Sequence, residues 1–392
     1  MKKGIFLILS IVLLSCTDKS SAVLTVTVKN NLDFDRAFET VEVDVTKIDL
    51  ERKSLEVVNA QTNEVLISQT VYSDIEGKTN KTILFQPAIA ANSEVTYNIN
   101  LVEEKQIDSS LIRCYSRFVP ERTDDYAWEN NRVAFRTFGP VAQKMVEEGV
   151  KGGTLTSGID AWLKRVEYPI INKWYARGVI EKGAYHKDIG EGLDNFHVGV
   201  SRGVGGVAVK TDSTYAVSKN FTAWKTITNG PIRTSFILDY ADWDVNGNVI
   251  KERKHISLDY GQNLTKYRVE LSGTEHVSIG LTLHKQDGEV TTNASEGWMS
   301  YWEPFDDSDL GQGVVLNDKE GLVDFEKYIT DKKDESNLYV QSKVSEIIEY
   351  YAGFGWKKSG QFITKTDWNN YLSHFSRCVD NPLQVIVKTS LK

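Results

Sequence analysis

The residues best suited to chemistry lie between positions 185 and 206, a stretch that combines histidines, carboxylates and glycines. His186 and His197, two of the six histidines of the chain, stand close to Asp188 and Glu191. General acid–base catalysis needs a histidine whose tautomer and basicity a neighbouring carboxylate controls. The stretch is too polar for a core strand and too rich in glycine for a helix. It predicts either a catalytic loop or a solvated surface loop, and both readings stay open at this point.

A second group of residues combines positive charge with aromatic rings between positions 108 and 140. Arg122, Trp128 and Arg136 lie there, and Lys164 follows after a short interval. Arginine binds carboxylate or sulfate groups through two parallel hydrogen bonds. The segment therefore predicts one wall of a cleft for an anionic, ring-shaped ligand. The alternative is a salt-bridged surface hairpin.

These residue types fit elimination from a uronic acid. The C5 proton is barely acidic, so the enzyme must neutralise the adjacent carboxylate, remove the proton and protonate the leaving group. We expect His186 to be the base, Tyr185 the acid and Asp188 the group that orients the histidine, while Arg136 pairs with the carboxylate. Adjacent residues on a strand face opposite ways, so Tyr185 and His186 act together only if the backbone turns there. If only one faces the cleft, we expect it to be His186.

The remaining expected substrate-binding residues are Arg122, Trp128, Lys164, Glu191 and His197. Each of them also has an ordinary structural reading as a packed or salt-bridged side chain. Glycoside hydrolysis by two carboxylates is a further possibility, because the sequence does not give the separation of its acidic groups.

A metal centre is not predicted. His186, Asp188, Glu191, Asp194 and His197 are of ligating types, but no zinc-binding helix motif or paired-cysteine spacing is present. We expect no cofactor, and a structural divalent cation is left open.

The first fifteen residues predict an export signal. Two lysines precede an apolar run at 5–14, which is too short to span a bilayer as a helix. The run ends in Leu-Leu-Ser-Cys at 13–16, which resembles a bacterial lipobox. Cys16 is therefore predicted to be the lipidated first residue of the mature protein, with 16–23 as a polar tether. A plain secretory signal is the alternative.

Composition limits the partners of the mature chain. Removal of residues 1–15 takes away two lysines and leaves 44 basic against 54 acidic residues, a net charge of −10. Such a protein is a poor general binder of nucleic acid, so we expect none. An anionic ligand would need a local positive site. Cys114 and Cys378 are predicted to be either a disulfide or two buried thiols.

The elements that must position these residues are mostly strands. Alternating apolar patterns occur at 24–28, 55–71, 94–102, 235–284, 347–356 and 383–389. One helix is predicted between an N-cap at Thr366 and Pro382, and residues 160–165 are expected to start a short helix. The fold class is mainly β: a large antiparallel sandwich with loop and short helical insertions, forming one domain over 24–392.

Four motifs carry a family resemblance: Arg-Val-Ala-Phe-Arg-Thr-Phe-Gly-Pro at 132–140, Ser-Gly-Ile-Asp-Ala-Trp-Leu-Lys-Arg at 157–165, Tyr-His-Lys-Asp-Ile-Gly-Glu-Gly-Leu-Asp at 185–194 and Gly-Phe-Gly-Trp-Lys-Lys-Ser-Gly-Gln-Phe at 353–362. Together they resemble a lipoprotein family first catalogued as a domain of unknown function, found among polysaccharide-degradation proteins of Gram-negative bacteria. The resemblance implies a galactose-mutarotase-like β-supersandwich, a fold that also hosts polysaccharide lyases.

The resemblance also implies an activity, because at least one such protein is an ulvan-oligosaccharide dehydratase. It removes water from a non-reducing-end glucuronate or iduronate linked to sulfated rhamnose. The expected ligand is thus an anionic, uronic-acid-containing oligosaccharide. The expected location is the outer membrane, reached through the lipid anchor. The alternatives are a non-catalytic glycan-binding surface lipoprotein and a polysaccharide lyase. The resemblance carries over no catalytic residue.

Overall fold

A computed structural model describes residues 22–75, 77–105 and 108–389. The predicted signal at 1–15, Cys16 and most of the predicted tether lie outside these residues. The first strand begins at Ala22, so the last two residues of the predicted tether belong to the folded part.

Strands are the main regular elements of the described residues. The first twelve are β1 (Ala22–Lys29), β2 (Val41–Asp44), β3 (Lys53–Asn59), β4 (Val65–Leu66), β5 (Ser68–Ile75), β6 (Lys78–Phe85), β7 (Glu94–Glu103), β8 (Tyr115–Val119), β9 (Asp125–Glu129), β10 (Ala134–Thr137), β11 (Asp160–Lys164) and β12 (Gly192–Leu193). The others are β13 (Val204–Lys210), β14 (Tyr215–Ala216), β15 (Phe221–Thr228), β16 (Arg233–Tyr240), β17 (Trp243–Val245), β18 (Asn248–Asp259), β19 (Leu264–Ser272), β20 (His276–Thr282), β21 (Glu289–Asn293), β22 (Trp298–Phe305), β23 (Ser308–Leu316), β24 (Leu322–Tyr328), β25 (Asn337–Lys343), β26 (Ile347–Trp356) and β27 (Gln384–Thr389).

Three α-helices interrupt the strands within the described residues: α1 (Pro140–Glu147), α2 (Ile171–Ile180) and α3 (Lys365–Asp380). The helix predicted near the C-terminus is α3, and its N-cap is Thr364 rather than Thr366. The Thr364 side chain accepts from the backbone of Asp367, whose carboxylate bonds back to the cap residue. The predicted short helix at 160–165 is wrong, because residues 160–164 form the buried strand β11.

The sheets are antiparallel and pack as sandwiches. An N-terminal pair, ordered β27-β1-β7-β3-β4 and β2-β6-β5, encloses its own apolar cluster. A nine-stranded sheet runs from β15 to β21 through β18, β26 and β23, with β17 paired beside it on β18. It shares one large core with two five-stranded sheets, ordered β12-β11-β10-β9-β8 and β14-β13-β20-β25-β24. The prediction of a mainly β, antiparallel supersandwich with short helical insertions is confirmed.

The N-terminal pair of sheets is tied to the large sandwich by Gln69. Its side-chain amide donates to the carbonyl of Arg233 at 3.0 Å and accepts from the backbone N–H of Ile232 at 3.0 Å. Gln69 is 2% exposed, so these hydrogen bonds are made away from water, where leaving them unmade is costly.

The two cysteines among the described residues are free thiols. Cys114 is buried and Cys378 is half-buried. Within the part of the chain that the structure describes, no helix is long and apolar enough to cross a membrane.

Candidate functional site

The site lies on the sheet β12-β11-β10-β9-β8, both faces of which are buried. Side chains alternate along a strand, so residues 126, 128, 135, 161 and 163 point into the large core. Ala127, Ala134 and Trp162 point the other way and pack against α2. The charged residues of these strands are in register with this second group. They are therefore buried beneath α2 and the loop that precedes β12.

Arg136 lies at the centre of this charged face. It pairs with Asp160 directly across the β10–β11 ladder, where its Nε donates to Asp160 Oδ2 at 2.9 Å. Its Nη2 donates to Asp194 Oδ2 at 2.9 Å, and Asp125 lies 3.6 Å from Nη1. Tyr175 of α2 donates its hydroxyl to Asp125 at 3.1 Å. Three carboxylates thus already surround Arg136, so the expectation that it pairs directly with a substrate carboxylate is corrected.

The three carboxylates share one buried guanidinium, and burial raises the pKa of two of them. Burial raises the pKa of Asp160 to about 8, although Arg136 opposes the shift. Burial raises the pKa of Asp125 to about 6 against the same opposing charge. One proton is therefore held in this group near neutral pH, because full ionisation would leave an excess of negative charge in a poorly solvated place. Asp160 is the favoured carrier.

An open cleft of about 560 Å³, called here the first cleft, reaches this charged group. Four of the residues expected from the sequence to act in catalysis or substrate binding line it: Arg122, Arg136, His186 and His197. Asp160 and Asp194 line it as well. A volume of this size is typical of small-ligand sites.

His186 enters the first cleft from a short 3-10 turn at Ala184–His186, which follows Gly183. Gly183 has a φ of 80°, a left-handed conformation that glycine adopts without strain. His186 Nδ1 hydrogen-bonds to the backbone carbonyl of Asp194. Because a carbonyl can only accept, Nδ1 carries the hydrogen and Nε2 is the basic atom of the neutral ring. The side chain is 52% exposed, so the ring is open to solvent and to a ligand.

Asp188 does not orient His186, and that expectation is corrected. Its Oδ1 accepts from the backbone N–H groups of Gly190 and Gly192 at 2.8 and 3.0 Å. Its other oxygen lies 3.1 Å from Arg165. Asp188 therefore shapes the loop before β12, and Asp194 takes the orienting role.

Tyr185 is buried and is not among the residues that line the first cleft, so its expected role as the acid is corrected. Its ring stacks on Trp162 at 5.6 Å, and the residue is 7% exposed. Its hydroxyl accepts from Arg122 Nε at 3.4 Å. Arg122 otherwise donates to Thr123, and among the described residues no carboxylate forms an ion pair with it. Arg122 thus presents to the cleft a positive charge that is held in no ion pair, although the buried Asp125 acts on it from a longer distance.

Lys164 is a structural residue and not a substrate-binding one. It is fully buried, and its Nζ donates to Glu129 Oε2 and to the carbonyl of Asn130, both at 2.8 Å. Glu129 also accepts from the backbone N–H groups of Ile170 and Ile171 at 2.9 Å. The pair therefore caps the N-terminus of α2, whose first N–H groups have no partner within the helix.

The expectation that Trp128 and Glu191 bind substrate is also corrected, because both side chains have structural roles. Trp128 is fully buried in the large core, and its Nε1 donates to Thr265 Oγ1 at 3.1 Å. It has no face free for a sugar. Glu191 is 5% exposed and accepts hydrogen bonds from Lys173 and from Trp174 Nε1 of α2. It holds the loop before β12 against that helix.

The sequence interpretation missed Asp125 and Asp160, and gave Asp194 no role beyond a metal ligand. A signal was available in two short strands, Asp-Tyr-Ala-Trp-Glu at 125–129 and Asp-Ala-Trp-Leu-Lys at 160–164. Each places charges four positions apart around an apolar centre, hence on one face of a strand. Such buried, paired charges are typical of functional sites.

No metal centre is evident in the described residues 22–75, 77–105 and 108–389, where no group of three or more His, Cys, Asp or Glu side chains is arranged to hold an ion.

The family comparison covers nearly all of the folded chain. Residues 28–385 match the family model described as a domain of unknown function, DUF4861. The chain is 52% identical over 380 residues to a protein of Formosa agariphila named "Uncharacterized protein P7", covering 95% of this chain and 96% of that one.

Two solved structures from Enterococcus faecalis are also similar. One is described as a protein in glycosyl hydrolase family 38, with a TM-score of 0.49 and 8% identity. The other is described as an alpha-mannosidase, with a TM-score of 0.48 and 9% identity. Each match covers 94% of this chain but only 48% and 46% of the two structures, so the chain spans about half the length of either.

Proposed function

The chain belongs to the DUF4861 family, and we propose that it is a carbohydrate-active enzyme, an oligosaccharide dehydratase that acts on a non-reducing-end uronic acid. The substrate is a saturated glucuronate or iduronate at the end of an ulvan-type sulfated oligosaccharide. The product is the 4,5-unsaturated uronate, with one molecule of water released. The observation that carries the proposal is that Arg122, His186 and Asp160 line one cleft.

The three residues divide the reaction between them. Arg122 binds the uronate carboxylate and stabilises the negative charge that develops when the C5 proton leaves. His186 takes this proton on Nε2, the ring atom that the hydrogen bond to Asp194 leaves basic. The C5–H electron pair forms the C4–C5 double bond, and the C4–O bond breaks. Asp160 gives its proton to the departing hydroxyl, which leaves as water.

Arg136 acts on Asp160 and not on the substrate. It donates to Asp160 Oδ2, while Asp160 Oδ1 has no hydrogen-bond partner among the described residues. The proton of the neutral acid is thus expected on Oδ1. After water leaves, the new carboxylate is stabilised by the same guanidinium. This pairing lets a buried acid release a proton without becoming an isolated buried charge.

A purely glycan-binding role is less well supported by the first cleft. Glycan-binding surfaces use exposed aromatic faces, and the two Phe residues that line this cleft, Phe138 and Phe196, are 2% and 4% exposed. A binding module also needs no basic histidine beside a protonated carboxylic acid. A lyase that cleaves the chain is the nearer alternative, because it uses the same base, acid and carboxylate clamp.

The test is a time course with saturated uronyl oligosaccharides prepared from ulvan. A dehydratase raises the ultraviolet absorbance of the conjugated double bond and lowers the oligosaccharide mass by one water, without shortening the chain. Fragments of lower degree of polymerisation in place of that mass loss would establish the lyase. Binding with no change in absorbance or mass would establish the glycan-binding protein.

The proposed location follows from the N-terminal pattern. Lipidated Cys16 would hold the enzyme on the outer membrane, where the folded part could meet oligosaccharides as they are taken up. No cofactor is needed in the proposed mechanism.

A further inference from the structure

A second cleft adjoins the first. It has a volume of about 540 Å³ and lies among the residues that follow β20, the end of β22 and the loop at 330–336. Asn195 and His197 line both clefts, and Phe196 lines the first. Residues 195–197 therefore form a partition over which one ligand can reach both clefts.

Two residues that line the second cleft, Asp306 and Asp334, hold the partition in place. Asn195 Nδ2 donates to Asp306, and His197 Nε2 lies 2.9 Å from Asp334 Oδ2. Asn195 Oδ1, in contrast, is buried and has no hydrogen-bond partner among the residues that the structure describes. The junction of the two clefts thus offers an unsatisfied acceptor.

The wall of the second cleft carries a buried histidine–carboxylate pair. His284 Nδ1 lies 2.7 Å from Glu303 Oε1, which also accepts from Gln312 Nε2 at 3.0 Å. The side chains of His284 and Glu303 are 12% and 1% exposed. With Nδ1 donating to the carboxylate, Nε2 is left as an acceptor, and it too is without a partner in the described part of the chain.

The ring of His284 is fixed by aromatic neighbours. Phe196 packs edge-on against it at 4.5 Å, and Phe305 lies at 5.3 Å. The ring therefore cannot easily turn to find another partner for Nε2. A buried polar atom without a partner is costly, and a ligand that supplies the missing hydrogen bond gains that energy on binding.

We infer that the second cleft is a binding subsite for the sugar residue that follows the reacting uronate in the same oligosaccharide. The inference rests on the proposed function for the identity of the first residue. Asn195 Oδ1 and His284 Nε2 both need donors, and a hydroxyl-rich ring supplies donors where an anion alone would not. Lys333, an exposed side chain on the rim with no ion pair among the described residues, donates to the oxygens of the same ring.

The subsite predicts that affinity depends on oligosaccharide length and that this dependence is lost in second-cleft variants. Binding is measured by calorimetry in a His186→Ala background, so that turnover does not interfere. The probes are glucuronic acid and saturated ulvan oligosaccharides of two and four residues. His284→Gln should weaken oligosaccharide binding about tenfold, the effect of one buried hydrogen bond, and leave glucuronic acid unchanged.

Two further variants guard against a folding artefact. Lys333→Ala, at an exposed position, should weaken oligosaccharide binding by a few-fold with an unchanged unfolding transition. His276→Gln replaces an exposed histidine at the opposite end of β20 and should change nothing. Unchanged oligosaccharide affinity in both His284→Gln and Lys333→Ala overturns the subsite, as does an equal loss for glucuronic acid. Failure of wild type to bind any of the oligosaccharides also overturns it.

The outcome is separable from that of the proposed function. Turnover by wild type with length-independent affinity in every variant would reject the subsite and keep the dehydratase. Oligosaccharide binding that His284→Gln weakens, with no loss of water in the wild type, would keep the subsite and reject the dehydratase.

Discussion

His186 Nδ1 donates to the backbone carbonyl of Asp194, which fixes the tautomer of a histidine that lines the first cleft. A backbone acceptor cannot be removed by changing a side chain, so the ring stays aligned in most variants. His186→Ala should lower turnover by roughly 10²–10⁴-fold, the usual span for loss of a general base. His276→Ala is the control. Turnover within a few-fold of wild type would transfer the role of base to His197.

Arg122 should determine substrate affinity through the uronate carboxylate. Arg122→Gln removes the positive charge, so KM should rise at least tenfold for uronyl oligosaccharides, and kcat should fall as well because the charge that develops at C5 loses its stabilisation. The matched control is Arg113→Gln, which changes a half-buried arginine whose one side-chain hydrogen bond among the described residues goes to the backbone carbonyl of Ser110. Steady-state kinetics on both variants separates a specific loss of carboxylate binding from a general effect of net charge. An equal rise in KM for both would show a general effect of net charge.

Asp160 should link activity to pH. The acid must carry its proton, so kcat should fall as pH rises through about 8, the pKa to which burial raises this group. Asp160→Asn keeps a neutral side chain of the same shape but has no proton to give, so turnover should fall by roughly 10²–10⁴-fold. A variant that retains wild-type activity would remove Asp160 from the mechanism.

Asp160 should also make stability depend on pH. Its folded pKa of about 8 lies above the ordinary value of 3.8, so between these values the folded state holds more protons than the unfolded state. The free energy of unfolding should therefore fall as pH rises through this window. Asp160→Asn should flatten the slope, measured by chemical denaturation at several pH values. Asp244→Asn, in the exposed β17–β18 hairpin, should leave the slope unchanged.

Lys164 should matter to stability rather than to binding. Lys164→Met leaves Glu129 buried without its counter-ion, and breaking a buried pair in this way costs about 3–5 kcal/mol. Lys173→Met breaks the half-exposed pair with Glu191 and should cost about 0–1 kcal/mol. Urea denaturation measures both. Equal losses would mean that the Lys164–Glu129 pair is not the anchor of α2.

Cys16 should decide membrane association. Cys16→Ser cannot be lipidated, so the variant should leave the membrane fraction while its folded part stays intact. Fractionation followed by immunoblotting measures the change. A variant that stays with the membranes would show that the lipobox interpretation is wrong.

The sequence by itself determined the mainly β fold class and part of the strands. The predicted segments 94–102 and 347–356 correspond to β7 and β26, because alternation of apolar and polar residues depends only on local geometry. The prediction of a short helix at 160–165 was wrong, because a strand that is buried on both faces shows no alternation of apolar and polar residues.

The candidate site could be predicted only in part. Residue types pointed to His186 and Arg122, which line the first cleft, but equally to Lys164 and Glu191, which anchor α2. A sequence states that a lysine is present and not whether a carboxylate already neutralises it. The tertiary structure decided that question, because the partners of Lys164 and Arg136 come from strands and loops up to 58 positions away. It also decided which carboxylates have a raised pKa, since burial is a property of the packed sheet and helix and not of the aspartate itself.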